Sequence, residues 1–313
     1  MSDVVTLGET MGLFTAASIG ALAHAESFHL GVGGAESNVA IGLVRLGASA
    51  TWIGRVGADG VGDLVRRELR AEGVDLRIRI DEEAPTGVMI KNRRTGQHTK
   101  VLYHRAGSAG SRLSPDDIDS ALIRQAMVLH VTGITPALSP TAAMAVNRAV
   151  DIARDAGVPV SFDVNHRSAL WAVEQASEVY RSLAAKASIV FAGIEEARLL
   201  TDGDSAADLA DGIAALGPTE VIIKLGREGC QALIDGSSLH VSAVQIDPID
   251  TVGAGDAFVA GYLAERVLGL DAAARLTTGV QAGAFACLGL GDWESLPTRA
   301  DLELLAQEEP VER

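Results

Sequence analysis

At 313 residues and 48% hydrophobic content, the chain can build one large α/β domain, with room for a small appendage. Aromatic residues are only 4%, so Val, Leu, Ile and Ala must fill the core. A net charge of −15, from 41 acidic and 26 basic residues, argues against nucleic acid or an anionic membrane as a partner. It leaves room for a local positive pocket facing an anionic substrate.

In chain order, VVTLGE (4–9) reads as a strand and residues 10–32 carry little helix signal. LGVGGAESNVAIGLVRLGA (30–48) sets Gly33, Gly34 and Ala35 ahead of a helix over 35–47 that ends at a glycine. Asn38, one turn in, can meet hydroxyls as donor and acceptor. The same small residues also suit plain close packing of strand, turn and helix. A strand over 49–57 leads to a helix over 61–73, closed by Gly73.

Residues 77–105 hold RIRID, TGVMIKNR and QHTKVLYHR, with RTGQ as a turn and no helix between them. With residues 10–32 they are expected to form a small β lid inserted in the main domain. Edge strands of the main sheet are the alternative. Tyr103 and Arg105, two apart, share one face of a strand, and Arg105 can bind a carboxylate bidentately. A solvated edge strand would look the same.

Strands over 127–133, 158–165, 188–193 and 220–226 alternate with helices over 140–157 and 173–186, which implies a parallel sheet covered on both faces. SFDVNHRSALW (161–171) places Asp163, Asn165 and Arg167 just past a buried strand, where open α/β sheets bind ligands. His166 reads as local structure. Glu195 and Glu196, at a strand–helix junction, favour a helix dipole or hold the waters around a Mg²⁺ ion. KLGREGCQAL (224–233) is a strand, a glycine turn and a strand. In GLGDWESLP (289–297), Asp292 binds substrate or caps the turn. The tail QEEPVER (307–313) reads as a frayed terminus.

The most specific stretch is DTVGAGDAFVAGYLAE (250–265). Gly253, Ala254 and Gly255 open a helix whose free N–H groups can hold an anion, and Asp256 sits in its first turn. An anion hole beside a carboxylate base is what phosphoryl transfer to an alcohol requires. Alone, the stretch equally fits a glycine-started helix with a dipole-favoured aspartate. A Walker A loop is excluded, because none of Lys91, Lys100, Lys186 and Lys224 follows a glycine. A dinucleotide fingerprint is excluded by Phe258 at its last glycine position. Cys230 and Cys287 form no C-x-x-C pattern, and MSDVVTLGET lacks signal-peptide character, so a reduced cytoplasmic protein is expected.

Taken together, GGAESNVA, GRVGADGVGD, KLGREG and DTVGAGDAF resemble the ribokinase-like, phosphofructokinase-B-type carbohydrate kinases over nearly the whole chain. The resemblance implies a doubly wound, mostly parallel sheet in a single domain over 1–313, with helices on both faces and a small inserted β-sheet lid. It implies ATP as donor, Mg²⁺ as cofactor, a sugar hydroxyl as acceptor, and Asp256 as base, with the backbone of Gly253, Ala254, Gly255 and Asp256 as anion hole. YHRAGSAGSRLSPDD, DVNHR with SALW, and GDWESLP are most similar to 2-keto-3-deoxygluconate kinases, which form the 6-phosphate. On that likeness Gly34, Asn38, Met89, Tyr103, Arg105, Arg167, Asp256 and Asp292 meet the sugar acid. Asn165, Lys224, Gly226, Gly229, Gly253, Gly255 and Gln281 line the ATP site, and Glu196 meets the metal through water. A monovalent cation and a homo-oligomer built through the lid are further implications.

Three departures stand out. Gly193 replaces the asparagine of an Asn-x-x-Glu motif, Met89 replaces a second lid tyrosine, and Tyr103-His104-Arg105 replaces Tyr-Tyr-Arg. A fructokinase or other keto-sugar kinase is the alternative within the class. A non-catalytic nucleotide or sugar sensor is the alternative outside it, favoured by Gly193 and opposed by Asp256.

Overall fold

Strands and helices alternate through the computed structural model, which describes residues 2–95 and 98–305. The strands are β1 (Val4–Leu7), β2 (Met11–Ala16), β3 (Phe28–Gly33), β4 (Ala50–Gly57), β5 (Asp75–Asp81), β6 (Val88–Arg93), β7 (Thr99–His104), β8 (Val128–Thr132), β9 (Val160–Asp163), β10 (Ile189–Gly193), β11 (Glu220–Lys224), β12 (Cys230–Ile234) and β13 (Ser237–Val241). The described residues form a nine-stranded sheet in the order β13-β12-β11-β10-β9-β8-β1-β4-β5. Its pairs are parallel from β11 to β5, while β12 and β13 continue as antiparallel hairpin strands. The interior strands are apolar on both faces because helices cover both. One core gathers Trp52, Phe191, Phe258 and Tyr262, and the other gathers Phe162, Val131 and Tyr180.

From β1 the chain winds outward to β4 and β5, then returns and winds the other way from β8 to β11. The strand order therefore reverses between β1 and β8, and the crevice at the carboxyl ends beside that point is where such sheets take ligands.

A separate four-stranded sheet has the order β3-β2-β6-β7. Its two outer pairs are antiparallel, and β2 and β6 join them in parallel. Alternation puts Leu13, Met89, Val101 and Tyr103 on one face and Phe14, Leu30, Ile90 and Leu102 on the other. Met11, Leu13 and Met89 bury the first face.

RIRID, expected in this small sheet, instead belongs to the main one. As part of β5 it pairs with β4 in parallel, from Thr51↔Asp75 to Gly57↔Asp81. Leu76 and Ile78 pack onto the main core, while Arg77 and Arg79 sit on the outer edge. Segment 77–105 thus divides between two sheets. Gly96 and Gln97 of the RTGQ turn, and the tail 307–313, lie outside the described residues. Among the described residues no helix is long and apolar enough to cross a membrane. Cys230 and Cys287 are free and buried.

Candidate active site

The site assembles at the carboxyl ends of β1, β8, β9, β10 and β11, where the strands hand over to loops or, after β10, directly to the helix Ile194–Ala197. Its centre is the N-terminus of the helix Ala254–Val267. Gly253, the residue before it, has φ 79° in the left-handed region, and no side chain caps the helix. A Cβ at Gly253 would run into the Asp292 carbonyl, so only glycine lets the loops 250–253 and 290–293 meet. The Ala254 N–H reaches the Thr251 carbonyl at 3.4 Å, and among the described residues the Gly255 and Asp256 N–H groups meet no protein acceptor and are left for an anion.

Asp256 is buried in this first turn. Asn38 Nδ2 donates to its Oδ2 at 2.8 Å, and Asn165 Nδ2 donates to its Oδ1 at 3.4 Å. Burial pushes the Asp256 carboxyl up to about 7. The Asn38 hydrogen bond, Arg167 and Lys224 oppose that rise, and Asp163 adds to it. A carboxylate poised there suits a general base near neutral pH. Asn38 comes from the helix Ala35–Arg45, which follows the turn at Gly34. Asn165 reaches Asp256 from a left-handed conformation, φ 39°, just past β9. Asn165, expected in the nucleotide site, thus also touches the Asp256 carboxylate.

On one side of Asp256 lies a cavity of about 320 Å³, lined by Gly226, Gly229, Ala254, Gly255, Val280 and Cys287 among others. Its largely apolar wall suits a flat heteroaromatic ring, and it ends at the anion-hole helix. Gln281 is not among its lining residues. In the helix Ala272–Ala286, one face carries Val280, Gly283 and Ala284 and continues to Cys287, and this face looks into the cavity; Gln281 is turned away from it. Lys224 also lines the cavity, and its Nζ donates to both Asp163 oxygens at 2.9 Å. Burial works against the Lys224 charge, but Asp163 and Glu196 outweigh it and hold its pKa above the ordinary lysine value.

Glu196 accepts the Gly193 N–H at 2.7 Å and the His166 N–H at 2.9 Å. These bonds fix its carboxylate at an opening shared with Lys224. Among the described residues, no group of three His, Cys, Asp or Glu side chains could hold a metal unaided.

On the other side of Asp256 the small sheet closes over the cleft. Gly33 lies against Met89 and the Asp292 carboxyl, where a Cβ would collide with both. Burial raises the Asp292 carboxyl to about 6, against the pull of Lys91. Tyr103 is 45% exposed on the inner face. Arg105 does not stand free: its Nη2 and Nε bind Glu9 Oε2 at 2.6 and 2.7 Å, and Ser108 Oγ donates to the other Glu9 oxygen. Arg167 is exposed and makes no ion pair among the described residues. Burial raises the carboxyl pKa of Asp256, Asp163 and Asp292, and the charge of Arg167 opposes that rise at each of them.

The residue types alone did not single out Glu9, Lys91 or Asp250. Glu9 had a usable signal, since it follows a buried strand at the same carboxyl edge as Asp163.

Residues 1–299 match the pfkB family of carbohydrate kinases. The chain is 38% identical over 305 residues to a 2-dehydro-3-deoxygluconokinase of Bacillus subtilis, covering 96% of this chain and 94% of that protein. It is 33% identical over 313 residues to a fructokinase of Zea mays, covering 96% of each. A putative ribokinase II of Escherichia coli, solved with ATP and Mg²⁺, superposes with a TM-score of 0.90 at 26% identity, over 99% of this chain and 100% of that one. With a matched family sequence along almost its whole length, the doubly wound sheet and a buried aspartate in the first turn of a glycine-opened helix, the chain belongs to the pfkB family of carbohydrate kinases.

Proposed function

We propose that the chain transfers the γ-phosphoryl group of ATP to the 6-hydroxyl of 2-keto-3-deoxygluconate. The observation that carries this reading is the position of Asp256. It lies at a helix start with no side-chain cap among the described residues, between a cavity that suits a nucleotide and the side of the site that carries Arg167. Asp256 accepts the proton of the attacking hydroxyl, and the bonds from Asn38 and Asn165 orient its carboxylate. The N–H groups at 253–256 receive the charge that builds on the transferred phosphoryl group. Lys224, paired with Asp163, puts its ammonium in the cavity wall beside the anion hole. Arg167 supplies the cation for the acid group of the substrate.

Mg²⁺ fits as a nucleotide-borne ion, neutralising donor phosphates, with Glu196 meeting it through water because the described residues offer no ligand cluster of their own. Closure of the small sheet would exclude water from the cleft. The relative from Bacillus subtilis supports the acceptor assignment. The Glu9–Arg105 pair favours a second reading, a fructokinase, because, of Arg105 and Arg167, it leaves Arg167 alone without an ion pair among the described residues.

An ATP-coupled screen decides between them. The keto-deoxy sugar acid is expected to give the highest kcat/KM, and excess chelator to abolish turnover. A preference for fructose would replace the first reading with the second, and ATP binding without any acceptor-dependent turnover would point to a sensor.

The reading extends to assembly and location. The outer face of the small sheet carries Leu30 at 55% exposure and Phe28 at 41%, beside half-buried Phe14, Ile90 and Leu102. A second copy of the chain covers this apolar face in a homodimer, and the free, buried cysteines suit a cytoplasmic protein. Leu30→Glu should convert a dimer to a monomer in light scattering. A parent chain that runs as a monomer at every concentration would remove this interface.

A further inference from the structure

Lys91 is a buried cation that the transfer chemistry does not use. It stands on β6 on the same face as Met89, and its side chain is 2% exposed. Its Nζ lies 2.6 Å from Asp250 Oδ2, 3.4 Å from the Gly291 carbonyl and 3.8 Å from Asp292 Oδ1. Asp250 Oδ1 accepts the Val252 N–H at 3.2 Å, and the N–H groups of Ile249 and Asp250 donate to the Cys287 carbonyl. One ammonium therefore joins the small sheet, the loop before Gly253 and the loop that carries Asp292.

We propose that the Lys91 ammonium is a built-in positioning cation, which holds the 250–253 and 290–293 loops together and so sets the anion hole from the small sheet. The inference rests on the anion-hole reading of residues 253–256. The local charges supply the reason. Asp250, Asp292 and Glu294 crowd this corner, and Asp250 and Glu294 each disfavour ionisation of Asp292. Among the described residues Lys91 is the cation that pairs with Asp250. Its attraction to both aspartates holds the two loops together where Gly253 packs against the Asp292 carbonyl, a contact with no room for a Cβ. A buried ion pair is a weak device for stability, since apolar residues of equal volume often do as well. Fixing a geometry is the better use of it. Asp250 is already neutralised, so this corner needs no monovalent cation from solution.

The test combines a cation series on the parent with two variants. Parent turnover should be the same in sodium, potassium and choline chloride. Lys91→Met should melt cooperatively yet lose kcat by about 10²-fold, the cost typical of a misplaced reacting group, with a smaller change in nucleotide KM. Amides in the peptide 249–256 should exchange with deuterium faster than in the parent. Lys91→Ala, which leaves room beside Asp250, should regain turnover with methylammonium chloride and not with the bulkier tetramethylammonium. Parent turnover that needs potassium overturns the proposal. So do Lys91→Met with parental kcat and parental exchange, and Lys91→Ala with no response to methylammonium. The exchange measurement needs no acceptor, so it decides on Lys91 even if the acceptor screen overturns the sugar-acid reading.

Discussion

Asp256→Asn is expected to lower kcat by about 10²–10⁴-fold, the usual cost of losing a general base, while nucleotide binding and the fold survive. The amide keeps one acceptor for Asn38 and cannot take a proton from the hydroxyl. Parent kcat/KM should fall as pH drops through about 7, because burial has raised the Asp256 carboxyl to that value in the free protein. The same shift bears on stability with a definite sign. A carboxyl whose folded pKa is raised favours the folded state at low pH, and that contribution is lost as pH rises through about 7. At pH 8 the ionised Asp256 therefore weighs against folding, and the asparagine variant escapes this cost. The Tm of Asp256→Asn relative to the parent should rise between pH 5 and pH 8. A variant with near-parental turnover, or a Tm difference that shrinks over that range, would remove Asp256 from the role of ionised base. Such a trade of stability for a working carboxylate is common at active sites.

Asp256 was legible because its signals are local: three small residues, a helix start and a carboxylate within one turn. The sheet was legible for a related reason, since strand–helix alternation is written in short segments. Partner choice is written elsewhere. RIRID alternates as an edge strand does in either sheet, and only the covering of Leu76 and Ile78 by the main core decides between them. Lys91 sits in a strand of mixed character, where a lysine reads as a solvated side chain. Its burial depends on Asp250 and Gly291, 159 and 200 residues away. The Glu9–Arg105 pair spans 96 residues, so Arg105 read as a free cation until its partner was placed. Gln281 stands one helical step from the face that lines the cavity, a phase the sequence alone does not set.

Arg167→Ala is expected to cut kcat/KM for the keto acid about ten- to a hundredfold, from the roughly 1.5–3 kcal/mol of a charged hydrogen bond. A neutral sugar of matched length should lose much less, so the ratio of the two efficiencies is the quantity to measure. Arg105 and Arg167 enter the sequence as equals, but the structure separates them. Arg105 is held by the buried Glu9, and its charge is largely spent there. Arg167 has no such partner among the described residues, and its charge opposes the raised pKa of Asp256, Asp163 and Asp292. Arg105→Ala should therefore behave differently. It leaves Glu9 buried without its cation, which costs about 3–5 kcal/mol when a buried pair is broken, and its first sign is a lowered Tm. Arg167→Ala should keep the parental Tm, since an exposed side chain outside any ion pair contributes little to stability. Arg167→Lys, which keeps the charge without the planar fork, should recover part of the discrimination. If the acid-to-neutral ratio moves with Arg105 and not with Arg167, the substrate carboxylate displaces Glu9 and lies against the small sheet. If neither variant moves the ratio, the acceptor carries no carboxylate at this site and the fructokinase reading takes its place.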